Sequence, residues 1–472
     1  MTDDYAHEFT ERHTSVANGA DGGTKGIVNL YQIAGSLYGQ ARGYDRLRIR
    51  LTANGNATWS PAALAAETAA LLDRRVRNAV ERFPAYAERV RRHGVRLPNP
   101  GSRIHPADLP VWSRADQRAL FAALTAPPVP GSFVHSTGGS TGVPLRFYVT
   151  RASFEWRSAV SDRGYAWAGA EEGRRSFYVW GTPIRAPGRL AALKQSLHHR
   201  LQGRTYFDSF QFGDGEKRRC CDAINRLKPP VVVGYAGNLI ELARFARDNA
   251  GALRWRAARL VTAAEGLAPG MREMIEEHLG GKVFMSYGSR EFMLIGMECA
   301  GHRGYHLASD NLFVEVVDAA GAPAAPGETG RILVTDLRND ANPFVRYEIG
   351  DLGTVFEPGY RCPCGLPFPL LASVEGRVQE VIVTAEGERL TALFIPHLMK
   401  EFPWVEGYQI AQREPGALTV NLVARRPLTP ELTAPVAAEL RKKTGAGMRI
   451  EFRRVEALEK NASGKTPIVI NR

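Results

Sequence analysis

The stretch Thr137-Gly138-Gly139-Ser140-Thr141-Gly142-Val143-Pro144 combines three glycines with three hydroxyl residues. Missing Cβ atoms let a backbone approach charge closely, so such a loop can offer several N–H groups and hydroxyl donors to one polyphosphate. No Lys-Ser or Lys-Thr follows Gly142, which sets the loop apart from a Walker motif. The cysteines form a second chemical group. Cys362-Pro363-Cys364 places two soft thiolates on a tight turn, and Cys299 with His302 or His306 could complete a closed, four-ligand Zn²⁺ site of the structural kind. Five cysteines in 472 residues do not make a disulfide framework.

Further short motifs follow the loop: Glu265-Gly266, Tyr287-Gly288-Ser289-Arg290-Glu291, Tyr347-Glu348-Ile349-Gly350-Asp351-Leu352, Gly376-Arg377 and Ser463-Gly464-Lys465. In this order they resemble the adenylate-forming superfamily of acyl and aryl ligases. Leu109 to Arg114, Gly234-Tyr235 and Arg361 to Gly365 are most similar to its phenylacetate–CoA ligase branch, which includes capsular-polysaccharide-type relatives. The resemblance covers roughly residues 100 to 472.

The resemblance implies a role for each group. Thr137, Gly139, Ser140, Thr141 and Gly142 would hold the β- and γ-phosphates of ATP. Glu265 and Gly266 would line the adenine pocket, and Tyr287, with Gly288, would stack on the base. Glu291 would hold Mg²⁺, a hard cation suited to carboxylate and phosphate oxygens. Asp351 would accept from both ribose hydroxyls, a task for a two-oxygen acceptor. Arg377, beside a hinge, would reach the ribose or phosphates. Lys465 would bridge the substrate carboxylate and the α-phosphate while charge builds on the bridging oxygen. The same branch carries a Cys/His cluster, and its Gly-x-His pattern favours His306 as the fourth zinc ligand.

Four positions depart from the superfamily pattern: Gly138, Val143 in place of a loop lysine, Arg290 before the magnesium glutamate, and Gln379 in place of a hinge aspartate. Arg290 could supply a fork for the α-phosphate. Gln379 bears most on the second half-reaction.

These residues need a scaffold, and the apolar periodicity outlines one. Ser60-Pro61 marks a helix start, with a helical pattern over residues 62–83 ending at Pro84. Buried strands are expected at 176–180, 231–233, 260–263 and 282–285, with helices at 217–227, 238–249 and 269–279, an alternation typical of a largely parallel α/β sheet. Strand patterns at 312–317 and 330–334 open a β-rich section. The expected fold class is α/β: a large N-terminal adenylate-forming domain and a small α+β lid. Its expected divisions are a poorly ordered 1–27, a large ATP- and acid-binding domain over 28–375 (helical 28–128, α/β core 129–310, β-rich 311–375), and a mobile small domain over 376–472.

The chain carries a net charge of +12 and 44% hydrophobic residues. Its basic residues are scattered and not interleaved with stacking aromatics, which argues against nucleic acid and for solvated faces that suit anionic ligands. No apolar stretch is long enough to span a membrane. The acidic N-terminus lacks the character of an export signal, so a cytoplasmic monomer or homodimer is expected. The sequence therefore reads as an ATP-dependent ligase that adenylates a small carboxylic acid, aryl or arylacetic by resemblance, and passes it to coenzyme A. Transfer to a carrier-protein thiol, an amine or a hydroxyl is the alternative. A zinc-stabilised nucleotide binder without activity is a second, which retention of Glu291 and Lys465 disfavours.

Overall fold

The computed structural model describes residues 46–99, 103–137, 145–171, 173–180, 193, 198–200, 202–209, 212–263, 266–267, 270–377, 381–387, 389–392, 394–399, 401–402, 404–459 and 466–471. Helices α1 (Arg46–Gly55), α2 (Pro61–Arg82), α3 (Pro84–Arg92) and α4 (Arg114–Ala123) come first. Ser60 caps α2 by accepting from the Ala63 N–H, and Pro61 occupies the first turn, where its missing N–H is not needed. Leu64, Leu71, Leu72, Val76 and Ala79 bury one stripe of that helix.

A hairpin of β1 (Phe133–Ser136) and β2 (Arg146–Val149) flanks the glycine-rich stretch, and α5 (Arg151–Trp167) follows. Strands and helices then alternate: β3 (Ser176–Trp180), β4 (Arg204–Asp208), α6 (Asp214–Leu227), β5 (Val231–Tyr235), α7 (Ala236–Asp248), β6 (Arg259–Ala263), α8 (Met271–Leu279) and β7 (Lys282–Ser289). These strands lie parallel in the order β4-β3-β5-β6-β7. Burial on both faces explains their near-continuous apolar runs, such as Val231 to Tyr235, buried at every position.

At β7 the sheet changes character. Its far edge pairs antiparallel with β8 (Met293–Met297), and β9 (Tyr305–Leu307), β13 (Leu370–Arg377), β12 (Tyr347–Val355), β11 (Gly330–Asp336) and β10 (Leu312–Val317) extend it to eleven strands. The β9–β13 pairing, with Leu370 opposite His306, joins segments far apart in sequence.

The C-terminal part has its own core of Ile382, Ile395, Met399, Ile410, Leu418, Val420, Leu422, Val436, Leu440, Met448 and Val469. It contains the hairpin β14 (Val381–Val383) and β15 (Arg389–Thr391), helices α9 (Phe394–Met399) and α10 (Pro430–Thr444), and a four-stranded sheet. That sheet has the order β18 (Arg449–Arg454), β17 (Ala417–Ala424), β16 (Val405–Gln412), β19 (Val469–Asn471). The mixed α/β architecture with a small C-terminal unit is the fold class that the sequence implies. Among the described residues, no helix is long and apolar enough to cross a membrane.

Candidate functional site

Tyr287 lies near the end of β7, where a register shift between Tyr287 and Gly288 bends the strand. A Cβ on Gly288 would sit 2.4 Å from the Met293 carbonyl oxygen, so only glycine allows this close crossing. The bend aims Tyr287 across the sheet. Its buried hydroxyl donates to Asp351 Oδ2 at 2.9 Å, fixing that carboxylate on β12. Asp351 in turn stands opposite Arg377 in the β12–β13 register.

The turn from β7 to β8 holds Arg290 and Glu291. Met293, at φ +61°, closes it, and Ser289 Oγ accepts from the Phe292 N–H at 3.2 Å. Glu291 is 6% exposed, and its charge faces Arg114, whose Nη1 lies 3.5 Å from Oε1. Arg114 Nη2 also donates to Thr137 Oγ1 at 3.1 Å. Thr137 anchors the glycine-rich stretch at its start: its N–H donates to the Leu145 carbonyl and its Oγ1 accepts from the Leu145 N–H, both at 2.9 Å. The Tyr347 phenol, buried beside Glu291 and Arg114, has its pKa pushed upward by burial and by the Glu291 charge, so it stays protonated. Arg290 Nη2 reaches the Ser136 carbonyl at 3.5 Å.

Thr137, Tyr287, Gly288, Arg290, Glu291 and Asp351 therefore converge on one end of the sheet around β7 and β12. Among the described residues, Gly266 has the Val374 carbonyl, at 4.0 Å, near the place a Cβ would take. Gly139, Ser140, Thr141, Gly142, Glu265, Gln379 and Lys465 lie outside the described residues, as does the Arg377 side chain.

Arg114 is the site residue that sequence reasoning left without a role. It occupies the first turn of α4, whose Ser113 and Asp116 form a capping box. A cation there opposes the helix macrodipole, so the capped Ser113-Arg114 start was itself a sign of an anionic partner elsewhere. Arg114 is placed by a strap: Trp112 N–H donates to the Arg346 carbonyl at 3.0 Å and Glu348 N–H to the Trp112 carbonyl at 2.9 Å, docking residues 112–114 alongside β12.

A second cluster sits where β9 meets the turn before β13. One ligand atom from each of Cys299, His306, Cys362 and Cys364 lies within 4.8 Å of all the others. Cys299 and Cys362 sulfurs are 3.6 Å apart, and Cys364 Sγ is 3.2 Å from His306 Nε2. Four ligands about 2.0–2.3 Å from a central Zn²⁺ have mutual separations of this size. His306 Nδ1 faces the Phe368 carbonyl at 3.2 Å, the second contact that leaves Nε2 for a metal. Burial pushes the His306 pKa down and the Cys299 thiol pKa up, so both groups are neutral in the metal-free cluster. His302, the other candidate, turns away to Glu298, 3.4 Å from its Nδ1. Arg272 holds that same Glu298 at 2.8 Å.

This architecture is similar to that of solved CoA ligases. The chain superposes on 2-hydroxyisobutyryl-CoA ligase in the postadenylation state with a TM-score of 0.65 at 20% identity, covering 88% of this chain and 91% of that one. The same ligase in the thioesterification state gives 0.58. By sequence the chain is similar to phenylacetate-coenzyme A ligases, and residues 382–472 match the family described as the CapK C-terminal domain. It is 26% identical to the phenylacetate-coenzyme A ligase of Thermus thermophilus over 322 residues, 66% of this chain and 69% of that protein. Its identity to the Escherichia coli phenylacetate-coenzyme A ligase is 27% over 291 residues, 59% and 64% of the two lengths.

Proposed function

We propose that this protein is an AMP-forming acid–CoA ligase. A carboxylate oxygen attacks the α-phosphorus of ATP, the bond to the bridging oxygen breaks, and pyrophosphate leaves. A thiolate then attacks the acyl carbon of the adenylate, and AMP leaves. The observation that carries this reading is the convergence of Asp351, oriented by Tyr287, with Glu291, Arg114 and Thr137 at one end of the sheet. One Asp351 oxygen accepts from Tyr287, and a carboxylate, as a two-oxygen acceptor, suits a pair of ribose hydroxyls.

Glu291 fits a Mg²⁺ ligand: it is a buried carboxylate whose ion pair with Arg114 is long, at 3.5 Å, in a setting where a hard cation would relieve its desolvation. When bound, Mg²⁺ would neutralise charge on the leaving pyrophosphate. Arg114 sets the Glu291 and Thr137 side chains relative to one another and supplies positive charge at a loop whose usual lysine is Val143. Arg290 lies beside the same loop. Lys465 brings an ammonium to the bridging oxygen from the small domain, residues 376–472. Arg377, entering that domain, contacts the nucleotide in one of its orientations. Cys299, His306, Cys362 and Cys364 would hold a structural Zn²⁺, which would tie β9 to the turn before β13 and take no part in the reaction.

The acids are small aryl or arylacetic carboxylates and the acceptor is coenzyme A. A second reading changes the acceptor alone, to a carrier-protein thiol, amine or hydroxyl. Pyrophosphate release across a panel of carboxylic acids, with and without coenzyme A, tests both. Acid-dependent release that yields a CoA thioester supports the first reading, and release without thioester supports the second. No release with any acid overturns the ligase assignment.

A further inference from the structure

Helix α7 ends in Arg247 and Asp248, and these residues meet two charges of the C-terminal domain, Glu406 in β16 and Arg425 just after β17. Arg247 Nη2 donates to both Glu406 oxygens, at 3.3 and 3.4 Å. Arg425 Nε lies 2.6 Å from Glu406 Oε1, and its Nη2 lies 3.8 Å from Asp248 Oδ1. Arg247 Nε closes the ring by donating to Asp248 Oδ1 at 2.9 Å. Cations and anions alternate around it.

Two members come from each side of the interface, and each side keeps an internal pair: Arg247 with Asp248, Glu406 with Arg425. Among these four residues, separation of the two domains would break the Arg247–Glu406 and Arg425–Asp248 contacts and leave each charge its partner on its own side. The inner contact matters more, because Arg247 and Glu406 are 19% and 17% exposed, whereas Arg425 and Asp248 are 60% and 57% exposed and screened. Arg244, one turn earlier on α7, is half-buried, and Glu406 and Glu241 attract its charge. The arrangement that makes these contacts also superposes better on 2-hydroxyisobutyryl-CoA ligase in its postadenylation state, at 0.65, than in its thioesterification state, at 0.58.

We propose that Glu406 is the positioning residue of a charge latch, holding the small domain against α7 in the arrangement that serves acyl-adenylate formation and releasing it for thiol attack. The second half of this statement rests on the ligase reading above; the latch itself does not. Its weakness is functional, since a few partly exposed ion pairs bias an equilibrium without freezing it.

The test places a donor–acceptor pair on α6 and α10 and reads the distance distribution in ligand-free protein. Glu406→Gln should raise the ratio of displaced to docked small domain about three- to tenfold, and Arg247→Gln should do the same. The double variant should add little to either, because both remove one contact. Raising salt from about 0.05 to about 0.5 M should move the native chain the same way, without any substitution. An unchanged distribution in Glu406→Gln and in the salt series overturns the latch. Pyrophosphate exchange in Glu406→Gln should fall several-fold while thioester formation from supplied acyl-adenylate does not. Equal slowing of both steps would make Glu406 a merely structural residue. Because the distance readout needs no turnover, an acid panel without activity would remove the ligase reading and leave the latch to be judged on distance alone.

Discussion

At the scale of single residues, most of the proposed chemistry rests on charge placed where charge develops. Lys465→Ala should abolish acyl-adenylate formation while leaving ATP affinity within a few-fold, because the ammonium acts on the bridging oxygen and not on the purine or ribose. Pyrophosphate exchange at the native rate would remove Lys465 from the mechanism. Asp351→Ala should weaken ATP and AMP together by about 10- to 100-fold, the usual worth of hydrogen bonds to a charged acceptor, since the ribose is common to both. Calorimetric titration checks this, and native AMP affinity would count against it. Tyr287→Phe offers a subtler comparison. It keeps the ring and removes the 2.9 Å bond to Asp351, so its loss of affinity should be smaller than that of Asp351→Ala. The sequence offers candidate residues by motif, but not the contacts between them. Tyr287 was read as a stacking ring, whereas its hydroxyl also orients Asp351, a partner on another strand that no local spacing reveals.

At the scale of elements, the parallel half of the sheet was legible because each strand is buried on both faces and each helix carries an apolar stripe. The expected strand 176–180 matches β3, and 312–317 matches β10. Expected ends elsewhere differ by a few residues: β7 runs on to Ser289 because the antiparallel partner β8 continues its ladder past the point where parallel pairing with β6 stops. The strap from Trp112 onto β12 was invisible, since it is a backbone pairing between segments distant in sequence. Cysteine spacing left His302 and His306 open, and the paired strands β9 and β13 decide for His306. If Zn²⁺ fills this cluster, Cys364→Ser should lower both metal content and thermal stability, because metal binding free energy is folding free energy. Elemental analysis together with a melting curve checks it. A metal-free native protein of full stability would reduce the four residues to packing.

At the scale of the whole molecule, buried ion pairs join the early helices to the sheet. Asp310 accepts from Arg163 of α5 at 2.7 and 2.9 Å and from Asn56, just after α1, at 2.8 Å. Burial opposes ionisation of Asp310, but the Arg163 charge and these bonds outweigh it and hold the carboxyl below its ordinary range. A lowered folded pKa gives stability that is fully present above the unfolded value near 4 and is lost as pH falls through the folded one. Asp310→Asn should cost about 3–5 kcal/mol in chemical denaturation at neutral pH by leaving Arg163 buried and unpaired, and should flatten the loss of stability below about pH 4. A native-like acid profile in the variant would exclude Asp310 as a source of that loss. The β9–β13 pairing has a consequence during synthesis. The cysteines it brings together, Cys299 and Cys362, are 63 residues apart. At about 5–20 residues per second, β8 and β9 leave the ribosome several seconds before β13 can cover them, so the nascent chain carries an open strand edge through that interval.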